Sequence, residues 1–498
     1  MEKHLLSKSS FVKGNQCSKA LYLYKYHYNF KDPLSPEQRA LFDRGNAVGM
    51  LARDLFPGGT DASQGSPYKY QESVLKTAQL IKQGVEVIYE AAFQFEQILA
   101  AVDILVRKDD KWFAYEVKSS TKITPTYLLD SSLQNWVIVN SGIQLEEFFI
   151  VNINNQYVRQ GNLEVNKMFS QTSVKQDVVR KFAFIGGKVN ELKSMLSQKQ
   201  MPAVEIGEHC FSPYSCDFIG TCWKDVPADS VFDLAMTKKE EQFKLYHSGI
   251  KKMSDIPDNY ELNKNAQLQV RSFKKNEVII DKKAVSEFVN KLNYPLYFMD
   301  FETIMPAIPA YDGTHPYQNL PFQYSLHVKE SKTSEVKHLE FLAEAGVDPR
   351  KGFIEKLVAD LRNKGDILVY NLTFEKSILK GLKEDVAEYG DKIDNIFERM
   401  KDLMIPFKEK HFYHPAMKGL YSIKSVLPAL VPELKYDDLK IGQGSVAMVA
   451  FEKLQTETDI FKIAETRDAL LEYCKMDTFA MVKILEVLEK GLTPFPSP

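Results

Sequence analysis

Cysteine is scarce in this chain, with five residues among 498. That scarcity argues against a disulfide-stapled scaffold and makes the positions of the five informative. Long apolar runs are also lacking. No stretch approaches the ~20 residues needed to cross a bilayer. The start, Met1-Glu2-Lys3-His4-Leu5-Leu6-Ser7-Lys8, has no apolar signal region, so a cytosolic protein is expected. Charge of one sign is missing too: 64 Lys and Arg stand against 66 Asp and Glu, a net charge of −2. No global field draws this chain to nucleic acid, and any track must sort its charges locally. There is no internal repeat and no low-complexity segment.

What is present is an ordinary globular composition, 44% hydrophobic and 26% charged, long enough for two to four domains. The first thirty or so residues are aromatic and basic. A helix is expected over 36–55, with Ala40, Leu41, Phe42, Val48, Leu51 and Leu55 as apolar contacts. A helix over 71–84 follows, then strands near 86–94, 97–107 and 111–118, the last two joined by a polar turn at Lys108–Lys111. A helix over 126–141 ends at Gly142, a strand covers 147–153, and one long helix runs near 174–198. A second α/β pattern begins at Tyr294, with strands near 296–301, 322–329, 336–342 and 367–371, a helix over 349–363 and a last helix near 467–490. The tail Thr493–Pro498 is too rich in proline to be helical. The expected fold class is multi-domain α/β. The domains are residues 1–225, a lysine-rich helical connector over 226–290, and residues 291–498.

Two sets of residues in the first half carry chemistry. Asp103 lies on one strand; Glu116 and Lys118, two apart on the next, share a face, and the hairpin brings Asp103 beside them. Paired carboxylates suit Mg²⁺, and a nearby ammonium can orient water and stabilise developing charge. Gln134, on the following helix, is placed to face the same pocket. The ordinary alternative is a surface salt bridge at a strand edge. The second set is Cys17 with Cys210, Cys216 and Cys222, a late cluster spaced C-x5-C-x5-C. Four thiolates suit an iron–sulfur cluster or zinc, buried free thiols being the ordinary alternative. Cys474 reads as a lone core thiol.

Together, Gln16-Cys17-Ser18-Lys19, Arg44-Gly45, Asp103, Glu116-Val117-Lys118, Gln134 and the late cysteines resemble the RecB-like nucleases of the PD-(D/E)xK superfamily that hold an iron–sulfur cluster. The resemblance covers roughly residues 5–225. It implies a [4Fe–4S] cluster on Cys17, Cys210, Cys216 and Cys222, and DNA cleavage by Asp103, Glu116 and Lys118. Gln134 resembles the glutamine of that family's Q-x3-Y motif. The chain departs from the pattern in having no histidine after Arg44-Gly45, Ile138 at the motif tyrosine, and x5/x5 cysteine spacing.

The second half has its own carboxylates. Asp300 and Glu302 share one face of a strand end, Glu375 opens a helix after an apolar strand, and Tyr473 and Asp477 share one face of a late helix. Four converging carboxylates can hold two Mg²⁺ or Mn²⁺ ions, a clamp on both oxygens of a displacement at phosphorus, with the tyrosine placed to bond the attacking water. This ordered set resembles the DEDD exonucleases of RNase H-like fold, in the subtype with a tyrosine. The resemblance implies that Asp300, Glu302, Glu375 and Asp477 are metal ligands and Tyr473 positions water; Glu375 stands where that family usually has aspartate. The two halves in this order resemble the bacterial domain of unknown function 2779 fused behind a RecB-like domain. Lys418, Lys424 and Arg467 are candidates for phosphate contacts, with solvated surface the default. Trp112, Trp136 and Tyr421 are candidates for base stacking, with core packing the default. The expected function is a metal-dependent nuclease acting on nucleic acid, DNA before RNA. It would have 3′→5′ exonuclease activity in the second half and serve repair or mobile-element defence. The alternative is a catalytically impaired nucleic-acid-binding scaffold with a structural iron–sulfur or zinc site.

Overall fold

Two-residue reversals shape the first sheet. Glu96-Gln97 and Asp109-Asp110 all have positive φ, +45°, +65°, +51° and +57°, which suits tight hairpins between twisted strands. The computed structural model describes residues 4–65 and 69–490; the tail Thr493–Pro498 lies outside them. The chain forms two units, Met1–Asp225 with Ala307–Tyr317, and Val226–Pro306 with Gln318–Pro498. Both are built from sheets and helices, so the α/β expectation holds.

In the first unit the strands are β1 (Leu6–Ser7), β2 (Thr60–Asp61), β3 (Val87–Phe95), β4 (Ile98–Lys108), β5 (Lys111–Lys118), β6 (Leu145–Ile153) and β7 (Phe169–Ser173). They make one sheet in the order β2-β3-β4-β5-β6-β7, with β1 parallel to β4. β3, β4 and β5 are antiparallel neighbours; β5 and β6 are parallel and need a crossover. The Pro125–Asn140 helix provides it. Thr124 caps its start, proline occupies its first turn, and Gly142 follows its end at φ +94°. One core, including Phe11, Val102, Leu133, Trp136 and Leu192, involves this helix; a second gathers Val48, Tyr89, Tyr115 and Val151.

The apolar alternation changes phase at one level of the hairpin. Ile88, then Ala91 and Phe93, enter the first core from β3; Ala100 and Val102, then Leu105, enter it from β4. Glu90, at φ +52°, and Asp103 stand across from each other where the phase changes, and the register on either side is unshifted. The segment 307–317 completes this unit. Ala307 is buried in the second core, and the Arg159 guanidinium donates to the carbonyls of Pro309 and Ala310, each at 2.9 Å.

Two expectations need correction. Leu41 and Phe42 are 56% and 55% exposed; Val48 and Ala52 are the buried residues of the Pro36–Ala52 helix. The expected long helix is two, Lys175–Arg180 and Phe182–Ser197.

The second unit contains β8 (Ile279–Ile280), β9 (Leu296–Ile304), β10 (Leu320–Lys329), β11 (Val336–Leu342), β12 (Asp366–Val369), β13 (Met400–Asp402) and β14 (Phe412–Tyr413). Five form a sheet in the order β11-β10-β9-β12-β13. β10 is antiparallel to both neighbours, while β9, β12 and β13 run parallel. Tyr297, Met299 and Phe301 point into a core with Phe353, Ile354 and Leu357 of the Pro349–Leu361 helix. Alternation sends Asp300 and Glu302 to the opposite face. There the Ile460–Lys490 helix is tied to β10: Gln323 donates to the Leu470 carbonyl at 2.7 Å, and the Ser325 and Thr478 hydroxyls meet at 2.6 Å. The lysine-rich stretch before β9 has its own core of Val231, Leu245, Met253, Ile256 and Val270. Its β8 pairs with β14.

Candidate metal centres

Asp300 and Glu302 enter one cavity from β9, Glu375 from the first turn of the Leu372–Asp385 helix, and Tyr473 and Asp477 from the Ile460–Lys490 helix. Ligand oxygens of Asp300, Glu302 and Asp477 lie within 4.8 Å of one another, the only such three-residue set of His, Cys, Asp or Glu among the described residues. Glu375 lines the same cavity outside that set, and its Oε2 is buried with no hydrogen-bond partner. Asn371 turns the chain between β12 and this helix at φ +104°, and Asp402 accepts from the backbone N–H of Leu372 and Met404 at 3.3 and 2.9 Å. That bracing fixes where Glu375 starts.

The electrostatics follow from burial. Desolvation, then the Asp477 charge, holds Asp300 well above the usual carboxylate range; desolvation, then Asp300, does the same to Glu302. Glu375 is pushed up to about 9 by burial and then by Asp300. Asp477 is also raised by burial, against the pull of the Tyr436 hydroxyl, which donates to its Oδ1 at 2.6 Å. Lys424 is the cation facing the group. Its Nζ donates to the Tyr473 hydroxyl at 3.1 Å and to the Gly442 carbonyl at 2.8 Å, so it belongs to the site rather than to open surface. A Cβ on Gly444 would lie 3.4 Å from Glu302 Oε2 and 3.7 Å from the Tyr473 oxygen, so a side chain here would stand in ordinary contact with both. Cys474 is buried with its Sγ 4.0 Å from Asp300 Oδ2, packed behind the carboxylates.

In the first unit, Asp103, Glu116 and Lys118 meet on the β4–β5 hairpin. Asp103 Oδ2 accepts the Val117 N–H at 2.6 Å. Lys118 Nζ donates to Glu116 Oε1 and to Asp130 Oδ2, each at 2.6 Å, and Lys8 Nζ donates to the same Glu116 oxygen at 2.7 Å. Burial works against the Glu116 charge, yet Lys118 and then Lys8 hold its carboxyl far below the usual range. Asp103 is pushed up to about 8 by burial and then by Glu116. Gln134, one turn beyond Asp130 on the same helix face, is fully buried with neither amide atom hydrogen-bonded; Glu116 Oε2 and Asp130 Oδ1 are likewise unpartnered. Sequence reasoning missed Lys8 and Asp130.

The four cysteines line one narrow cavity with Lys19, His209, Phe218 and Trp223. Cys17 sits between the Lys8–Gln16 and Ser18–Tyr26 helices; the other three lie in short turns after residue 207. Burial pushes the Cys216 thiol up to about 11, and the charges of Cys17 and Cys210 add to the effect, while Lys13 opposes it. Among the other candidates, Trp112 and Trp136 are buried in the core. Arg467 donates to the carbonyls of Ala343 and Leu342, and Lys418 lies 3.6 Å from Asp229. No helix among the described residues is long and apolar enough to cross a membrane.

Known proteins resemble parts of this chain. It is 30% identical over 243 residues to the uncharacterized protein UU173 of Ureaplasma parvum, which covers 44% of this chain and 34% of the relative. It is 26% identical over 212 residues to the uncharacterized protein MG366 homolog of Mycoplasma pneumoniae, 39% of this chain and 32% of the relative. The chain thus spans about a third of the length of each of these curated relatives. Residues 297–422, the stretch that carries Asp300, Glu302 and Glu375 but stops before Asp477, are similar to the domain of unknown function DUF2779.

Proposed function

We propose that the second unit hydrolyses phosphodiester bonds in nucleic acid, DNA before RNA, as a 3′→5′ exonuclease dependent on Mg²⁺ or Mn²⁺. The observation that carries this reading is the convergence of Asp300, Glu302 and Asp477 within 4.8 Å, in a cavity shared with Glu375. These residues fit divalent cations. The ligands are all oxygen, one Glu375 oxygen is buried without a partner, and Lys424 acts on Asp300, Glu302 and Asp477 but not on Glu375. The strand order, third-second-first-fourth-fifth with the second antiparallel, supports an RNase H-like fold.

Bound divalent ions would stabilise charge on the attacking and leaving oxygens. The chain's own groups do the rest. The Tyr473 hydroxyl stands at the cavity, held by Lys424, and orients a water by hydrogen bonding. Tyr436 holds Asp477 in its rotamer. Gly444 lines the same cavity beside Glu302, where a larger side chain would crowd an incoming phosphate.

The first unit is read as a RecB-like module that grips or cuts DNA and carries a [4Fe–4S] cluster on Cys17, Cys210, Cys216 and Cys222. All four cysteines line one cavity, which supports a shared cofactor there. The test is incubation of end-labelled single- and double-stranded DNA and RNA with Mg²⁺ or Mn²⁺. Stepwise shortening from the 3′ end, abolished by Asp300→Ala and by Asp477→Ala, is expected. Activity unchanged in both variants would refute the assignment.

A further inference from the structure

We propose that the Lys8 ammonium is a built-in competitor for the divalent ion at the first unit's site, holding one of the two Glu116 carboxylate oxygens and offsetting its charge. The inference rests on reading Asp103 and Glu116 as ligands for such an ion.

The position of Lys8 is set by local structure. β1 pairs with β4, and the backbone N–H groups of Leu5 and Leu6 donate to the Gln97 carbonyl at 2.7 and 3.2 Å. Ser7 then caps the Lys8–Gln16 helix through a capping box with Ser10. Lys8 is therefore the first helical residue, and that turn has no acidic residue. A cation there opposes the helix dipole, which favours negative charge at this end. The opposing charge comes from elsewhere in the fold: Glu116 at 2.7 Å and Asp130 at 3.9 Å.

Lys8 and Lys118 are not equivalent. Lys118 Nζ bonds Glu116 and Asp130 equally closely and lies over the Tyr127 ring at 5.3 Å, so it has a place of its own. Lys8 has one close partner, and its side chain is the more exposed, 29% against 17%. Its flexible stem lets the ammonium swing to solvent and release Glu116 Oε1. The fully buried Glu116 has its second oxygen unpartnered, which marks the carboxylate as incompletely satisfied by the two lysines. Two ammonium groups face Glu116 and Asp130, with Asp103 and Glu90 also within their field. A divalent ion gains full attraction only when one of them leaves, and Lys8 is the one free to go.

The test uses the full chain carrying Asp300→Asn and Asp477→Asn to silence the second site, with Mn²⁺ binding read by the electron paramagnetic resonance of free Mn²⁺. Adding Lys8→Met should tighten Mn²⁺ binding at least tenfold, and adding Glu116→Gln to that variant should remove the gain. Lys8→Arg, which keeps the charge, should leave binding weak. Unchanged or weaker binding in Lys8→Met, or a gain that survives Glu116→Gln, overturns the proposal. If circular dichroism shows that Lys8→Met is misfolded, Lys8→Gln is read by the same outcomes. Because the readout is binding with the second site silenced, failure here is distinct from failure of the exonuclease reading.

Discussion

Replacing Glu375 by glutamine should stabilise the metal-free protein, and the gain should grow with pH. In the folded chain this carboxyl is pushed up to about 9 from an ordinary value of 4.5. Between those values the native state holds a proton that the unfolded chain releases. Stability is therefore full below pH 4.5 and declines as pH rises towards 9. At 1.36 kcal/mol per pH unit, the loss amounts to roughly 3 kcal/mol by pH 7. Glutamine does not titrate, so Glu375→Gln should recover up to that amount at pH 7 and almost nothing at pH 4. For a unit of this size the gain corresponds to roughly 5–10 °C in Tm. Calorimetry across pH 4–9 in EDTA measures it. A gain that is flat with pH, or a variant less stable than the parent at pH 8, would refute the reasoning. Saturating Mn²⁺ should raise the parent's Tm, by about 2.7 kcal/mol of stabilisation at one hundred times Kd, and should raise the variant's less.

Other outcomes follow from the same geometry. Gly444→Val should reduce nuclease activity at least tenfold with little change in Tm, since its added carbons enter the cavity beside Glu302; normal activity would show that the substrate does not pass there. Tyr436→Phe removes a hydrogen bond to a charged group, worth about 1.5–3 kcal/mol; it should raise the apparent pKa on the acid limb of the pH–rate profile by about one unit or more. Cys222→Ser should abolish absorbance near 400 nm and lower bound iron in anaerobically purified protein; stoichiometric zinc in the parent would reject the cluster. Phe353→Ala, in the core with Phe301 and Tyr324, should cost about 3–5 kcal/mol in chemical denaturation.

Local patterns in the sequence carried much of the fold. The polar turn at Asp109-Asp110, the β3–β5 hairpins and the Pro125–Asn140 helix are marked by alternation, proline and glycine. Asp300 and Glu302 needed only the period of a strand to share a face. Other features depend on distance. Lys8 and Glu116 are 108 residues apart, and no spacing rule joins them. Tyr436 reaches Asp477 across 41 residues. The phase change at Glu90 and Asp103 breaks the alternation used to read those strands, and at that level the Asp103 carboxylate takes the Val117 N–H. Leu41 and Phe42 fit a helical stripe, yet the residues that bury are Val48 and Ala52. The break after Arg180 has no proline or glycine to announce it.

Residues 307–317 belong to the first unit although the chain on both sides belongs to the second. Dissection by truncation is therefore not neutral. A fragment ending at Asp225 would take from Arg159 the Pro309 and Ala310 carbonyls, leaving only that of Gly161, and uncover the apolar surface that Ala307 covers. Recombinant work on that half alone would need residues 307–317 grafted on through a linker, and insolubility of the bare fragment would say nothing about its chemistry.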